Sequence, residues 1–247
     1  MIKLERLYTP LFLNPSKVNS LTQEYLANGT SVWAHNEIKK SLLELSHNKC
    51  AYCECLLNEE SKYMEVEHFE DKGTNPNKVV VWSNLLPSCK RCNVKKGTHD
   101  VLADPIINPF DTDPKDHLEF HLYQFRGATD VGKATEEVLD INNYEKVLRK
   151  RFDIGNQLMA SISGALDKLE GYKGQPTVRN RNKLLSHVEG ILQECTPCAL
   201  YSATTATVLH KDKNFINLMD EMKICGIWND ELENLKVASL GCVLKCA

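Results

Sequence analysis

A chain of 247 residues, 42% hydrophobic and 26% charged, has an ordinary globular composition, which excludes wholesale disorder and allows one large or two modest domains. Its 30 lysines and arginines against 33 aspartates and glutamates leave a formal charge of −3, which excludes a global pull on nucleic acid. No stretch approaches the roughly 18 apolar residues of a membrane helix, and the opening MIKLERL lacks the apolar run of a signal peptide, so the expected location is the cytoplasm with no membrane partner. Ten cysteines in that compartment point to metal ligands and free thiols rather than disulfides.

In chain order, residues 2–12 read as a short strand or extended arm, with Pro10 and Pro15 stopping any helix. Ser20 is placed to cap a helix over 21–28 that Gly29 ends. A second helix is predicted over 36–47, with Ile38, Leu42 and Leu45 on one face. It delivers the chain to CAYC, residues 50–53, which is matched further on by CKRC, residues 89–92. Two such pairs are the ligand set of structural zinc, Cys50, Cys53, Cys89 and Cys92, since four thiolates complete a tetrahedral shell. Cys55 is then a spare thiol.

Between the pairs, YMEVEHF (63–69) alternates as a strand does, with Met64, Val66 and His68 on one face and Glu65, Glu67 and Phe69 on the other. Residues 71–77 have loop composition, and VVVW followed by NLLP leads into the second pair. A helix is predicted from Asn93, with Lys95 and Lys96 in its first turn, where its N-terminus would attract phosphate. Adjacent Glu67 and His68 face opposite ways in an ideal strand, so the strand must twist or end there.

Residues 117–125 alternate as a half-buried strand after a turn-rich stretch. Helices are predicted over 133–140, 142–170, 177–195, 199–224 and 229–239, with Gly171, Gly174 and Pro176 breaking the longest. Cys195 and Cys198 have metal-like spacing but no second pair of partners, and Cys225, Cys242 and Cys246 are loosely placed. The expected class is α+β, mainly α: a lead-in over 1–47, a zinc-stapled module over 48–130 and a helical region over 131–247.

The order Cys-x-x-Cys, Glu-His, Asn-Leu, Cys-x-x-Cys-Asn-x-x-Lys-Gly over residues 47–100 resembles the HNH endonuclease family, a ββα-metal fold, in its zinc-stapled HNN variant. The resemblance implies that His68 is the general base, that Glu67 binds the catalytic divalent ion and that Asn84 holds the base. It implies Asn93 as a second ion ligand, whose carbonyl favours Mg²⁺ or Mn²⁺ over Zn²⁺. His99 is an additional metal or phosphate candidate and equally a loop histidine. Lys90, Arg91, Lys95 and Lys96 form a basic patch, ordinarily a solvated face, that adjoins the site and so becomes a phosphate-contact candidate.

The chemistry is coherent without the name. Phosphodiester hydrolysis needs a deprotonated water and relief of negative charge on the phosphate, tasks suited to a histidine and to a carboxylate-bound divalent ion. Further along, NPFDTDP, HLEF and TEEVLDIN followed by a helical half are similar to the nuclease subunit of Septu-type anti-phage systems, a pair that retron systems also carry. That resemblance implies a bacterial defence nuclease acting on DNA with an ABC/SMC-like ATPase, and in retrons beside a reverse transcriptase and its RNA–DNA product. Two other readings share these residues: a stand-alone restriction or mobile-element nuclease, and a zinc-stapled module that binds without catalysis.

Overall fold

The computed structural model describes residues 1–57 and 63–246. It is an α+β fold, mainly α, in two compact units: Met1–Leu118 with Phe125–Asn142, and Glu119–Gln124 with the chain from Asn143 onward.

The first unit opens with an arm that is extended but pairs as no strand. Leu4 N–H donates to Pro109 O (2.8 Å), and the Arg6 guanidinium lies over the Phe110 ring (4.1 Å) while donating to Leu85 O (2.8 Å). Helix α1 spans Pro15–Asn28 and so begins well before the predicted 21–28. Pro15 starts this helix instead of stopping one: at the first helical position a missing N–H is no loss and the fixed φ is already helical. Asn14, not Ser20, caps it, its Oδ1 accepting from Lys17 N–H (3.0 Å). Helix α2, Asn36–Leu45, buries Ile38, Leu42, Leu43 and Leu45.

Strand β1, Met64–His68, pairs antiparallel with β2, Leu85–Cys89, with His68 opposite Leu85 and Met64 opposite Cys89. Pro87 within β2 cannot donate, but its carbonyl accepts from Ala51 N–H (2.9 Å) and ties the first cysteine turn to the strand. Helix α3 spans Lys90–Lys96, beginning three residues earlier than Asn93. The second Cys-x-x-Cys itself supplies the first helical turn, because residues three apart on a helix share a side. Asn93 therefore sits mid-helix and Lys95 and Lys96 in the last turn, which removes the phosphate-attracting helix start inferred from the sequence. Helix α4, Asp130–Val138, completes this unit, and its Thr135 hydroxyl accepts from Ile107 N–H (2.8 Å).

The strand predicted over 117–125 is two strands, β3 (Leu118–His121) and β4 (Gln124–Gly127). Leu122 and Tyr123 between them have φ of 46° and 66°, left-handed values that no extended strand can pass through.

In the second unit a π-helical turn, Tyr144–Leu148, leads into α5, Arg149–Gly174, which continues through Gly171 instead of breaking there. Helix α6 follows over Val178–Gln193. The predicted helix over 199–224 is two, α7 (Ser202–Lys211) and α8 (Lys213–Ile224), divided at Asp212, whose carboxylate caps α8 through Phe215 N–H (2.9 Å). Helix α9 covers Asp230–Leu240, and a short strand β5, Lys245–Cys246, runs parallel to β3 with Glu119 opposite Lys245. The buried stripe of α5 is Leu158, Ile162, Ala165 and Leu169, a four-three-four spacing that faces α6, α7 and α8, while Phe152 is half exposed. No helix among the described residues is long and apolar enough to cross a membrane.

Candidate active site

The sulfurs of Cys50, Cys53, Cys89 and Cys92 all lie within 4.8 Å of one another. Four thiolates about 2.3 Å from one Zn²⁺ stand roughly 3.8 Å apart, and Cys53 Sγ and Cys89 Sγ are 3.7 Å apart. The residues present fit the ion. Two pieces of chain distant in sequence meet here, the turn after α2 and the junction of β2 with α3, so the cluster ties the lead into the ββα unit to its β2–α3 corner. Cys55 closes the first turn through its backbone, its carbonyl accepting from Cys50 N–H (2.9 Å). Among the described residues this is the one such cluster: Cys195 and Cys242 are buried thiols, Cys225 is half-buried, and Cys198 and Cys246 are exposed. Burial pushes the Cys195 thiol up to about 12, which leaves it unreactive.

Beside this staple, β1 and α3 border a cavity of about 360 Å³ that Glu65, Glu67, His68, Asp71, Asn93 and Trp33 line. His68 ends β1 and is only 5% exposed, with the Trp33 ring edge-on at 4.9 Å. Its Nε2 is 2.9 Å from the Val79 carbonyl, which can only accept, so Nε2 carries the proton and Nδ1 keeps its lone pair. Burial, opposed by that hydrogen bond and assisted by Lys72 and Lys96, lowers the His68 pKa to about 4, so the ring is neutral at pH 7.

The Asn84 side chain hydrogen-bonds the loop that follows β1 and not His68. Its Oδ1 accepts from Glu70 N–H (2.7 Å), and its Nδ2 donates to Glu70 O (3.0 Å) and Lys78 O (3.2 Å). It thus closes the loop that carries Val79, one residue beyond Lys78, and places the carbonyl that orients the histidine.

Lys96 is buried beneath the site and donates to the His68 carbonyl (2.9 Å), with its Nζ 2.9 Å from Glu67 Oε1. Burial raises the Glu67 pKa to about 7 against the pull of Lys96. One rung along, Asn93 Nδ2 donates to Glu65 Oε2 at 2.6 Å. Arg91 donates to the carbonyls of Leu139 (3.3 Å) and Asp140 (3.0 Å), and Lys95 pairs with the Asp140 carboxylate (3.1 Å). Three of the four basic candidates are therefore engaged within the unit, and Lys90 is exposed. His99 stands apart from the cavity, with its Nε2 2.7 Å from Asp104 O.

Glu65, Asp71 and Trp33 join the site without having been singled out from the sequence. For Glu65 a signal existed: strand alternation puts it on the face of Glu67. Trp33 comes from the segment between α1 and α2, and nothing local marks it.

Neither a protein-family model nor a solved structure matches the chain. A Septu protein PtuB from Bacillus thuringiensis is 44% identical over 237 residues, spanning 95% of this chain and 92% of that relative. A Septu protein PtuB from Bacillus mycoides (strain KBAB4) is 27% identical over 190 residues, spanning 59% of this chain and 64% of that relative. With the first alignment running almost end to end through both cysteine pairs and the cavity between them, the chain belongs to the Septu PtuB family.

Proposed function

We propose that the chain is a metal-dependent endonuclease of HNH type that hydrolyses DNA phosphodiester bonds as the nuclease subunit of a Septu anti-phage complex, under control of an ABC/SMC-like ATPase. The observation that carries this reading is a buried, neutral histidine whose Nε2–H is held by a backbone carbonyl, in one cavity with acidic groups and an asparagine. His68 Nδ1 accepts the proton of the attacking water. Asn84, through the loop it closes, and Lys96, through the His68 carbonyl, keep the ring in that orientation. The cavity carboxylates and Asn93 are the groups fit to hold a divalent Mg²⁺ or Mn²⁺. When bound, that ion supplies Lewis-acid relief of charge on the phosphate and the leaving oxygen. The zinc cluster stays a scaffold, since four thiolates leave no open position. A nuclease active at all times would endanger its host, and the net charge of −3 gives no independent pull on DNA, so control and delivery by a partner suit the subunit.

The test is cleavage of supercoiled plasmid with Mg²⁺ or Mn²⁺, comparing wild type with His68→Ala, with and without the ATPase. Metal-dependent cleavage lost in His68→Ala supports the nuclease, and a requirement for the ATPase supports the complex. Cleavage without the ATPase favours a stand-alone nuclease. Folded, zinc-loaded protein that cuts neither DNA nor RNA favours a binding module.

A further inference from the structure

Within the second unit, α5 and α6 leave two adjoining hollows between them, one of about 460 Å³ and one of about 820 Å³, that share Ser186 and His187. The His187 Nε2–H donates to the Ser161 carbonyl (2.8 Å) and fastens α6 to α5 where the hollows meet. Apolar side chains line the smaller hollow: Leu158 and Ile191, both buried, and Ile154, half-buried. Gly190 borders it too. A glycine inside a helix weakens that helix relative to alanine, so its presence calls for a reason. The chain conformation supplies none, being helical, and neither does crowding, since a Cβ added there would meet nothing within 4 Å. What the missing side chain does provide is room in the hollow.

The larger hollow is basic. Lys168, Arg179 and Lys183 line it, no carboxylate does, and none of the three makes an ion pair among the described residues. Lys168 donates only to the Gly164 carbonyl of its own helix (3.3 Å). In a chain of net charge −3 this is a local excess of positive charge. Arg179 stands in the first turn of α6, where the helix dipole favours acidic side chains, so the helix itself gains nothing from that charge. From Ile154 to Lys168 the groove follows about 20 Å of α5, room for roughly six residues of extended chain. A nucleic-acid strand suits it poorly, because the apolar half has no cation and Glu194 on its border repels phosphate. A peptide suits both halves, with an apolar side chain in the first and carboxylates in the second.

We propose that this groove receives an acidic segment of a partner protein, with an apolar anchor beside Gly190 and carboxylates against Lys168, Arg179 and Lys183. It rests on the complex named above, whose ATPase serves as the probe.

Isothermal titration of the zinc-loaded full chain with the ATPase, at low and at high salt, decides it. Gly190→Leu fills the smaller hollow with a better helix former. It should weaken binding at least roughly tenfold, at unchanged zinc content and with an unchanged or raised melting temperature. The triple variant Lys168→Gln, Arg179→Gln and Lys183→Gln should weaken binding as much at low salt and flatten its salt dependence. The same charge removed elsewhere on the unit, by Lys211→Gln, Lys213→Gln and Lys245→Gln together, should change the affinity by less than about threefold. Full affinity in either groove variant, or an equal loss in that control, overturns the proposal. Binding of a DNA duplex without divalent ions, or self-association of the chain, lost in Gly190→Leu while ATPase binding stays, gives the groove to nucleic acid or to a second copy and overturns it as well. An ATPase that does not bind the wild type removes the complex and the groove's role together. One that binds every variant as it binds the wild type removes the groove's role alone.

Discussion

His68 illustrates how one position acquires a role from its neighbours. In water an imidazole is partly charged near pH 6.5; enclosed by Trp33 and the Val79 loop, this one is held to about 4. Two consequences follow with definite sign. As a base it is available above about pH 4, so its limb of the cleavage profile should be flat from pH 6 to 8. For stability, the folded value lies below the unfolded one, so the unfolded chain binds more protons between the two. The contribution is complete above pH 6.5 and is lost as pH falls toward 4, up to roughly 3 kcal/mol. A melting series from pH 7 to 4 on wild type and His68→Gln checks this: the variant should show the shallower decline, and parallel curves would refute it. His68→Ala should fold with its zinc yet lose cleavage by roughly a hundredfold or more. Asn84→Ala removes three loop hydrogen bonds, at about 1 kcal/mol each. It should lower both melting temperature and cleavage, because the Val79 carbonyl loses its placement.

Among elements, the ββα unit is small, and the cysteines tie its β2–α3 corner to the turn after α2. Structural zinc contributes on the order of 10 kcal/mol to small modules of this kind. Cys89→Ser, or stripping zinc with a chelator, should therefore unfold the first unit, and equal melting curves with wild type would contradict the staple. The alternation of β1 was legible because period two survives in five residues. The start of α3 was not, because a Cys-x-x-Cys turn serves a knuckle and a helix equally well in one dimension. Likewise, Pro15 reads as a breaker or as a helix start depending on whether the helix lies before or after it. In the second unit the three- and four-residue repeats announced helices but not which stripe faces inward. Phe152 belongs to the pattern yet stays half exposed, and Ala165, without a large side chain, is buried. Leu158→Ala should cost roughly 2–5 kcal/mol by leaving a cavity against the neighbouring helices.

For the whole molecule, the proposed function assigns cleavage to the first of the two compact units, which holds the cavity, and attachment to the second. A fragment of residues 119–247 keeps both segments of the second unit, including the strands that pair Glu119 with Lys245. It should co-purify with the ATPase while lacking cleavage. Binding by the remainder of the chain instead would reverse the assignment. With one candidate site per chain, supercoiled plasmid should pass through nicked circles before linear product accumulates, and linear product at the outset would require paired copies.

The linear code was sufficient wherever a short pattern carries its own physics. Thiolate spacing implies a tetrahedral ion, strand alternation separates two faces, and helical periodicity implies a bundle. It was insufficient where the deciding quantity is a relation between distant residues. Glu65 and Glu67 have the same chemistry two positions apart, and only the packing of α3 on β1 gives one a buried ammonium and the other a neutral amide. Charge type is written residue by residue, whereas burial and pairing arise only once the chain has closed on itself, and those set what each carboxylate can hold.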